Sequence, residues 1–203
     1  MPPFTVLHVC MGNICRSPMA ERLLSLAVGE RLARREVDPA RAEELLHSHS
    51  AGTGGWHAGE EMNPPAARQV LTRGGSVADF AARKLRSDHI DAADLILTAT
   101  ADQQEYVVAL RPDAAARTFV LGEFGRLLAV LDLAALPAAE ATADAVHGRG
   151  AALVAAAHAA RQGTTSLATD DLDDPWGRGD QCFSRVADEI EETVHPLAAA
   201  LLP

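Results

Sequence analysis

The chain has 203 residues and a formal net charge of −10 at pH 7. That length suffices for one domain with a sizeable core, and the acidic balance excludes nucleic acid or an anionic membrane surface as the main partner. Three cysteines, two of them in one loop, make no secretory disulfide framework, and neither a charged-then-apolar leader nor a membrane-length apolar run is present, so the expected location is the cytoplasm.

Phe4-Thr5-Val6-Leu7-His8-Val9 is mostly apolar and rich in β-branched residues, and reads as a buried strand. It runs into Cys10-Met11-Gly12-Asn13-Ile14-Cys15-Arg16-Ser17-Pro18, a cysteine, five residues, an arginine and a serine ahead of a helix start. Ser17 can cap that helix and Pro18 suits its first helical position, while Ala20, Leu23, Leu24, Ala27 and Val28 recur at helical spacing. A loop joining a strand end to a helix N-terminus offers converging N–H groups and the positive end of a dipole, which favour an anion. Gly12 is expected to supply backbone angles other residues avoid, and the Asn13 amide to brace the loop.

A helix N-terminus and a nearby cation lower a thiol pKa from about 8.5 to roughly 3.5–7.5, so Cys10 is expected to be a thiolate at neutral pH. The planar fork of Arg16 can hold two oxygens of a tetrahedral oxyanion, and Ser17 can donate its hydroxyl to the sulfur. The expected phosphate-binding set is Met11, Gly12, Asn13, Ile14, Cys15, Arg16 and Ser17, with Cys10 beneath it. No Gly-Lys-Ser/Thr ends the loop, so it is not a nucleotide-binding Walker loop. The pattern predicts an enzyme that removes phosphate through a cysteinyl-phosphate.

Further along, residues 45–50 read as a second strand, and residues 64–73 as a helix ended by Gly74-Gly75. Residues 94–99 and 118–121 read as third and fourth strands with a helix between them. His47 and His49 alternate on the second strand and read as half-buried polar residues rather than metal ligands. About half of residues 134–160 are alanine, interrupted by Pro137 and Gly148-Arg149-Gly150. This predicts a two-helix hairpin inserted at about 129–165, a surface elaboration unless it covers the active-site mouth or docks a protein partner. Asp170, Asp171 and Asp173 read as a solvated acidic turn. Residues 181–202 suit a closing helix, with Pro196 placed to break it. Alternating strands and helices imply a three-layer α/β fold, a four-stranded parallel sheet with helices on both faces. Ligands bind beyond the C-terminal ends of such strands, where Cys10 sits. Of the 18 basic residues only Lys84 is a lysine, which with the abundant alanine reads as the coding bias of a GC-rich bacterial genome.

Three motifs in this order carry a family resemblance: the loop of residues 10–18, then Ser50-Ala51-Gly52-Thr53 with Trp56, then Asp173-Asp174-Pro175-Trp176-Gly177. With them the chain resembles the low-molecular-weight protein tyrosine phosphatases, over residues 4–125 and 170–202. The resemblance implies a flavodoxin-like single phosphatase domain over residues 1–203 that hydrolyses phosphotyrosine in a phosphorylated protein substrate without metal or cofactor. It implies Cys10 as nucleophile, Arg16 as clamp and Asp174 as the acid that protonates the leaving oxygen and then activates water. It makes Trp56 and Trp176 the walls of a substrate slot. It also implies that Cys15 can capture an oxidised Cys10 as a disulfide, with simple packing as the alternative.

The chain departs from the family in three ways. Phe80-Ala81-Ala82-Arg83 stands where many members have His-x-Ala-Arg, so the network from that histidine through serine to the loop asparagine is expected to lose its far end. Gly177 stands where some members have a second aromatic, and the chain is longer than the family's compact domain. Protein-arginine phosphatases on the same fold also resemble it in Gly177, but tend to have Thr where this chain has Ile14. Arsenate reductase chemistry needs two cysteines outside the loop, and only Cys182 is available. A non-catalytic phosphate-binding module fits poorly with Cys10, Arg16 and Asp174 together.

Overall fold

The computed structural model describes residues 1–161 and 164–203. Strands β1 (Phe4–Cys10), β2 (Leu46–Gly52), β3 (Leu95–Thr98) and β4 (Thr118–Val120) form one parallel sheet in the order β2-β1-β3-β4. β1 pairs with β2 from Phe4↔Leu46 to Cys10↔Gly52. The helices are α1 (Arg16–Arg34), α2 (Ala42–Leu45), α3 (Pro64–Thr72), α4 (Ser87–Asp91), α5 (Ala101–Leu110), α6 (Leu121–Leu128), α7 (Ala143–Arg161) and α8 (Asp180–Leu201).

Side chains of a strand alternate between sheet faces, and β1 fills both. Phe4, Val6 and Cys10 join the larger core with α1, α6 and α8, while Leu7 and Val9 join the smaller one with Ile90, Ile96 and Val107. The sheet is therefore covered on both sides, as its apolar strands require. β1 ends at Cys10 and α1 begins at Arg16, so the loop 10–16 crosses the C-terminal end of the central strands.

Two expectations about helices are corrected. Pro196 lies inside α8, yet the helix continues to Leu201. Leu197, Ala198, Ala200 and Leu201 are buried there, and this burial offsets the bond proline removes. The stretch 129–165 is not a two-helix hairpin. A short 3₁₀ turn, Leu133–Ala135, precedes a single helix, α7, which runs through Gly148-Arg149-Gly150 (residues 162 and 163 lie outside the described residues). Tertiary contacts override the local breakers: a Cβ at Gly150 would lie 2.5 Å from the Phe4 ring, and Arg149 donates to the carbonyls of Leu133, Pro137 and Ala200.

Nor does α7 cover the active-site mouth. It crosses the opposite end, where the strands begin. Gly150 abuts Phe4 at the start of β1, His147 lies 3.8 Å from Asp94 just before β3, and Arg161 donates to the Thr118 carbonyl at the start of β4. Six residue steps of β1 place Cys10 about 20 Å from that end. No helix among the described residues is long and apolar enough to cross a membrane.

Candidate active site

The loop is shaped by Asn13, not by Gly12. Asn13 holds φ +54°, in the left-handed region asparagine tolerates, whereas Gly12 is not among the positive-φ residues. The smallness of Gly12 serves another purpose, since a Cβ there would lie 3.2 Å from the His57 ring. Neighbouring backbone anchors the loop: Thr53 N–H donates to the Cys10 carbonyl at 2.9 Å, Gly54 to Met11 at 2.9 Å and Asn63 to Ile14 at 2.8 Å.

Inside the loop, the Asn13 backbone N–H donates to Cys10 Sγ at 3.3 Å, and Ser17 Oγ lies 3.0 Å from the same sulfur. Ser17 does not cap α1. The helix begins at Arg16 with Cys15 in the cap position and no side-chain cap, because the Ser17 hydroxyl is turned to the sulfur. Cys15 is buried, and burial pushes its thiol up to about 12, with Cys10 and Asp174 adding to the shift. It stays neutral while all three cysteines are free.

Arg16 is buried, with its guanidinium held from one side. Nη1 donates to the Leu172 carbonyl at 3.1 Å and Nη2 meets Asp174 Oδ2 at 3.2 Å, while Nε has no hydrogen-bond partner among the described residues. Asp174 is half exposed and accepts the Trp176 N–H at 3.2 Å. Of the preceding aspartates, Asp171 and Asp173 are exposed, as a solvated turn requires, and Asp170 is not. Asp170 is buried and pairs with Arg126 at 2.8 Å, Asp171 accepts the Ala101 N–H at the start of α5, and Asp173 takes Arg185 at 2.5 Å and Arg178 at 3.4 Å. Hydrogen bonding from Arg185 holds the Asp173 carboxyl below its usual range. Three of four carboxylates thus moor the segment to α5, α6 and α8, and the fourth faces the loop.

Cys10, Met11, Gly12, Ile14, Cys15, Arg16, Trp56, His57, Asp174 and Trp176 line one cavity of about 190 Å³. The two tryptophans do not play equal parts. Trp56 folds flat over Gly54, where a Cβ would come within 1.8 Å of its ring, and remains largely exposed at the rim. Trp176 faces His57 instead, with ring centroids 5.7 Å apart, and His57 Nδ1 lies 2.8 Å from Glu60 Oε2. His57 is absent from the residues expected from sequence; its position beside Trp56, three residues before a carboxylate, is the signal that would have found it. The Asn13 and Ser17 side chains are turned beneath the loop rather than into the cavity.

The bracing network keeps its far end by substitution. Asn13 Nδ2 donates to Ser50 Oγ at 2.8 Å and to Ser17 Oγ at 3.0 Å, and Ser50 Oγ donates to Glu21 Oε2 at 2.6 Å. Phe80 offers Ser50 no polar atom and lies instead under Arg22, 5.7 Å from its guanidinium carbon. Asn13 Oδ1 accepts the Arg83 N–H at 2.8 Å.

The family described as low molecular weight phosphotyrosine protein phosphatase matches residues 5–133. A low molecular weight protein-tyrosine-phosphatase of Streptomyces coelicolor is 37% identical over 109 residues, 54% of this chain and 60% of that protein. Less than two thirds of that relative is therefore spanned, and Asp174 lies beyond the family match. Fold similarity covers nearly the whole chain. A protein tyrosine phosphatase of Entamoeba histolytica superposes with a TM-score of 0.64 at 21% identity, over 96% of this chain and 94% of that one. The arginine phosphatase YwlE of Geobacillus stearothermophilus does so at 0.62 and 23%, over 97% and 92%. With the Cys10–Ser17 loop inside the matched region, the chain belongs to the low molecular weight phosphotyrosine protein phosphatase family.

Proposed function

We propose that this chain hydrolyses phosphotyrosine in proteins through a cysteinyl-phosphate on Cys10. The convergence of Cys10, Arg16 and Asp174 in one cavity carries this reading, since Arg16 and Asp174 are 158 positions apart in sequence yet their charged atoms lie 3.2 Å apart. A phosphate dianion entering the cavity takes over the Arg16 guanidinium, whose Nε has no other partner among the described residues, and releases the Asp174 carboxylate, which takes up a proton from solvent beside the dianion and turns to the leaving oxygen. Cys10 Sγ attacks phosphorus as the P–O bond to the tyrosyl oxygen breaks, and Asp174 supplies the proton that oxygen takes. Asp174, now a carboxylate, accepts a proton from water as that water attacks phosphorus. Cys10 leaves as a thiolate, stabilised by Ser17 and the Asn13 N–H.

Substrate class follows from the walls. Trp176 and His57 place aromatic rings in the cavity lining for a phenyl group to meet, and Ile14 adds a bulky apolar side chain to that lining. Phosphoarginine is the second reading. Gly177, at φ +70° and with no atom of the described residues within 4 Å of a Cβ, leaves the side beyond Trp176 open. Hydrolysis of matched phosphotyrosine and phosphoarginine peptides separates the two, and a strong preference for phosphoarginine overturns the first. On this reading residues 1–203 act as one phosphatase domain, working in the cytoplasm where its three cysteines stay reduced.

A further inference from the structure

We propose that Arg126, on α6, is a positioning residue for Asp174: as the counter-charge of the buried Asp170, it keeps residues 170–174 seated and the acid at the cavity mouth. The inference rests on the phosphatase reading for its kinetic consequence, while the seating itself can be measured without turnover. Asp170 Oδ1 accepts from Arg126 Nε at 3.2 Å and Oδ2 from Nη2 at 2.8 Å, and Oδ2 also takes the Leu167 N–H at 2.6 Å. Arg126 does not line the Cys10 cavity, so it acts through the backbone that follows Asp170.

Asp170 is the buried carboxylate of this segment, whereas Asp171, Asp173 and Asp174 are exposed. The Asp170 backbone rests on α6: a Cβ at Gly122 would lie 2.5 Å from the Asp170 carbonyl oxygen. Gly122 and Arg126 are four positions apart on that helix and share one face. α6 is itself fixed, since Thr193 of α8 donates its hydroxyl to the Leu121 carbonyl at 3.2 Å. From Asp170 the chain leads straight to the reacting groups. Two residues on, the Leu172 N–H donates to the Ala99 carbonyl at 2.8 Å, and the Leu172 carbonyl accepts from Arg16 Nη1 at 3.1 Å. Two residues further, Asp174 meets Arg16 Nη2.

A buried carboxylate stays buried only while it is paired. Burial works to raise the Asp170 carboxyl, and the Arg126 bonds and the Leu167 N–H outweigh it and hold the group below its usual range. Arg126 and Asp170 line a second cavity, of about 350 Å³. The other charged residues in that lining are Asp171, Glu189 and Glu192, so no second cation among the lining residues can replace Arg126. Without the guanidinium, the Asp170 carboxylate reaches water only by leaving α6, and the residues that follow move with it. The pairs of Asp173 with Arg178 and Arg185 are exposed on both partners and hold much less. Neutralising Asp170 as well removes the reason to leave.

The test compares the full chain as wild type, Arg126→Leu, Arg126→Lys and the double variant Arg126→Leu with Asp170→Asn. Two quantities are read: hydrogen exchange of the Leu172 amide by NMR, and kcat/KM for phenyl phosphate and 2,4-dinitrophenyl phosphate, aryl esters with a poor and a good leaving group. A misplaced acid slows mainly the ester that needs its proton, so the ratio of the two kcat/KM values changes, whereas a smaller folded fraction lowers both equally. Arg126→Leu is expected to speed exchange of the Leu172 amide about tenfold and to shift the ratio about tenfold against phenyl phosphate. Arg126→Lys keeps the charge and is expected to stay within about threefold of wild type in both. The double variant is expected to return both towards wild type, because a neutral amide at position 170 needs no counter-charge and still accepts the Leu167 N–H. An unchanged ratio or unchanged exchange in Arg126→Leu overturns the proposal, as does an Arg126→Lys or double variant as impaired as Arg126→Leu. If Arg126→Leu does not fold, Arg126→Gln takes its place and is decided by the same two readings. A wild type that hydrolyses neither ester contradicts the proposed function, and exchange of the Leu172 amide then decides whether Arg126 seats the segment.

Discussion

Arg16 Nη2 lies 3.2 Å from Asp174 Oδ2, so the residue proposed to clamp the phosphate and the one proposed to protonate the leaving group hold each other in this structure. Substrate phosphate has to separate them. Half-exposed ion pairs are worth about 0.2–1 kcal/mol, so Asp174→Ala is expected to bind inorganic phosphate about 1.4- to fivefold more tightly. Loss of a general acid lowers kcat by about 10²–10⁴, most for peptides whose leaving group is poor. Inhibition constants for phosphate, measured beside kcat on a phosphotyrosine peptide, check both. Weaker phosphate binding in the variant contradicts the competition.

The aromatic wall predicts a ranking. Trp176 faces His57 across the cavity, whereas Trp56 lies over Gly54 at the rim. Losing an aromatic contact and its buried area costs about 1–2 kcal/mol, so Trp176→Ala should raise KM for a phosphotyrosine peptide by about tenfold. Trp56→Ala should raise it less. Steady-state kinetics of the two variants checks the order, and equal effects would show that Trp56 stands over the substrate as well.

Two buried histidines predict acid sensitivity. His8 and His49 are both held down to about 3 by burial, with a neighbouring histidine adding in each case. Between about pH 6.5 and pH 3 the unfolded chain binds protons that the folded chain refuses. Stability therefore falls as pH drops through that window, by up to about 1.4 kcal/mol per pH unit for each histidine. Urea unfolding at pH 7, 6 and 5 measures the slope, and His49→Gln should reduce it by one proton's worth. A slope that His49→Gln leaves unchanged contradicts the assignment.

Two glycines of α7 are expected to respond in opposite directions. A side chain at Gly150 meets the buried Phe4 ring at 2.5 Å, and overpacking of this kind costs about 1–3 kcal/mol, so Gly150→Val should lower Tm. Nothing lies within 4 Å of a Cβ at Gly148, and helix propensity favours alanine there by about 1 kcal/mol, so Gly148→Ala should raise it. Both should leave kcat on a phosphotyrosine peptide intact, because α7 packs at the far end of the sheet. Thermal melts and kinetics on the same samples check this, and a loss of kcat in Gly148→Ala contradicts the placement.

What could be read from the sequence was local chemistry. Cys10 and Arg16 have one spacing and one use, and the apolar, β-branched run from Phe4 to Val9 marked the strand that carries them. Asp174 was legible because proline and an aromatic follow it. Glu21 was not: a glutamate on a helix ordinarily faces water, and its partner Ser50 comes near only when β2 lies beside α1. The moorings of Asp170, Asp171 and Asp173 were not legible because their partners, Arg126, the Ala101 N–H and Arg185, sit on three separate helices, and only for Asp170 does burial overturn the solvated turn. The break at Gly148-Arg149-Gly150 was a sound local expectation overruled by Phe4 and by carbonyls far away in sequence. Of the two roles expected of Ser17 only the contact with the sulfur is seen, and the left-handed turn expected of Gly12 falls to Asn13, while the smallness of Gly12 admits His57.

The measurement that tests the central claim most directly is rapid acid quench of the enzyme during turnover of ³²P-labelled phosphotyrosine peptide, with the label located by peptide mapping. Radioactive phosphate on the peptide that contains Cys10, with the hydrolytic lability of an S–P bond, and loss of turnover in Cys10→Ser are the expected result. Full turnover by Cys10→Ser, or label that maps to any other peptide, contradicts it.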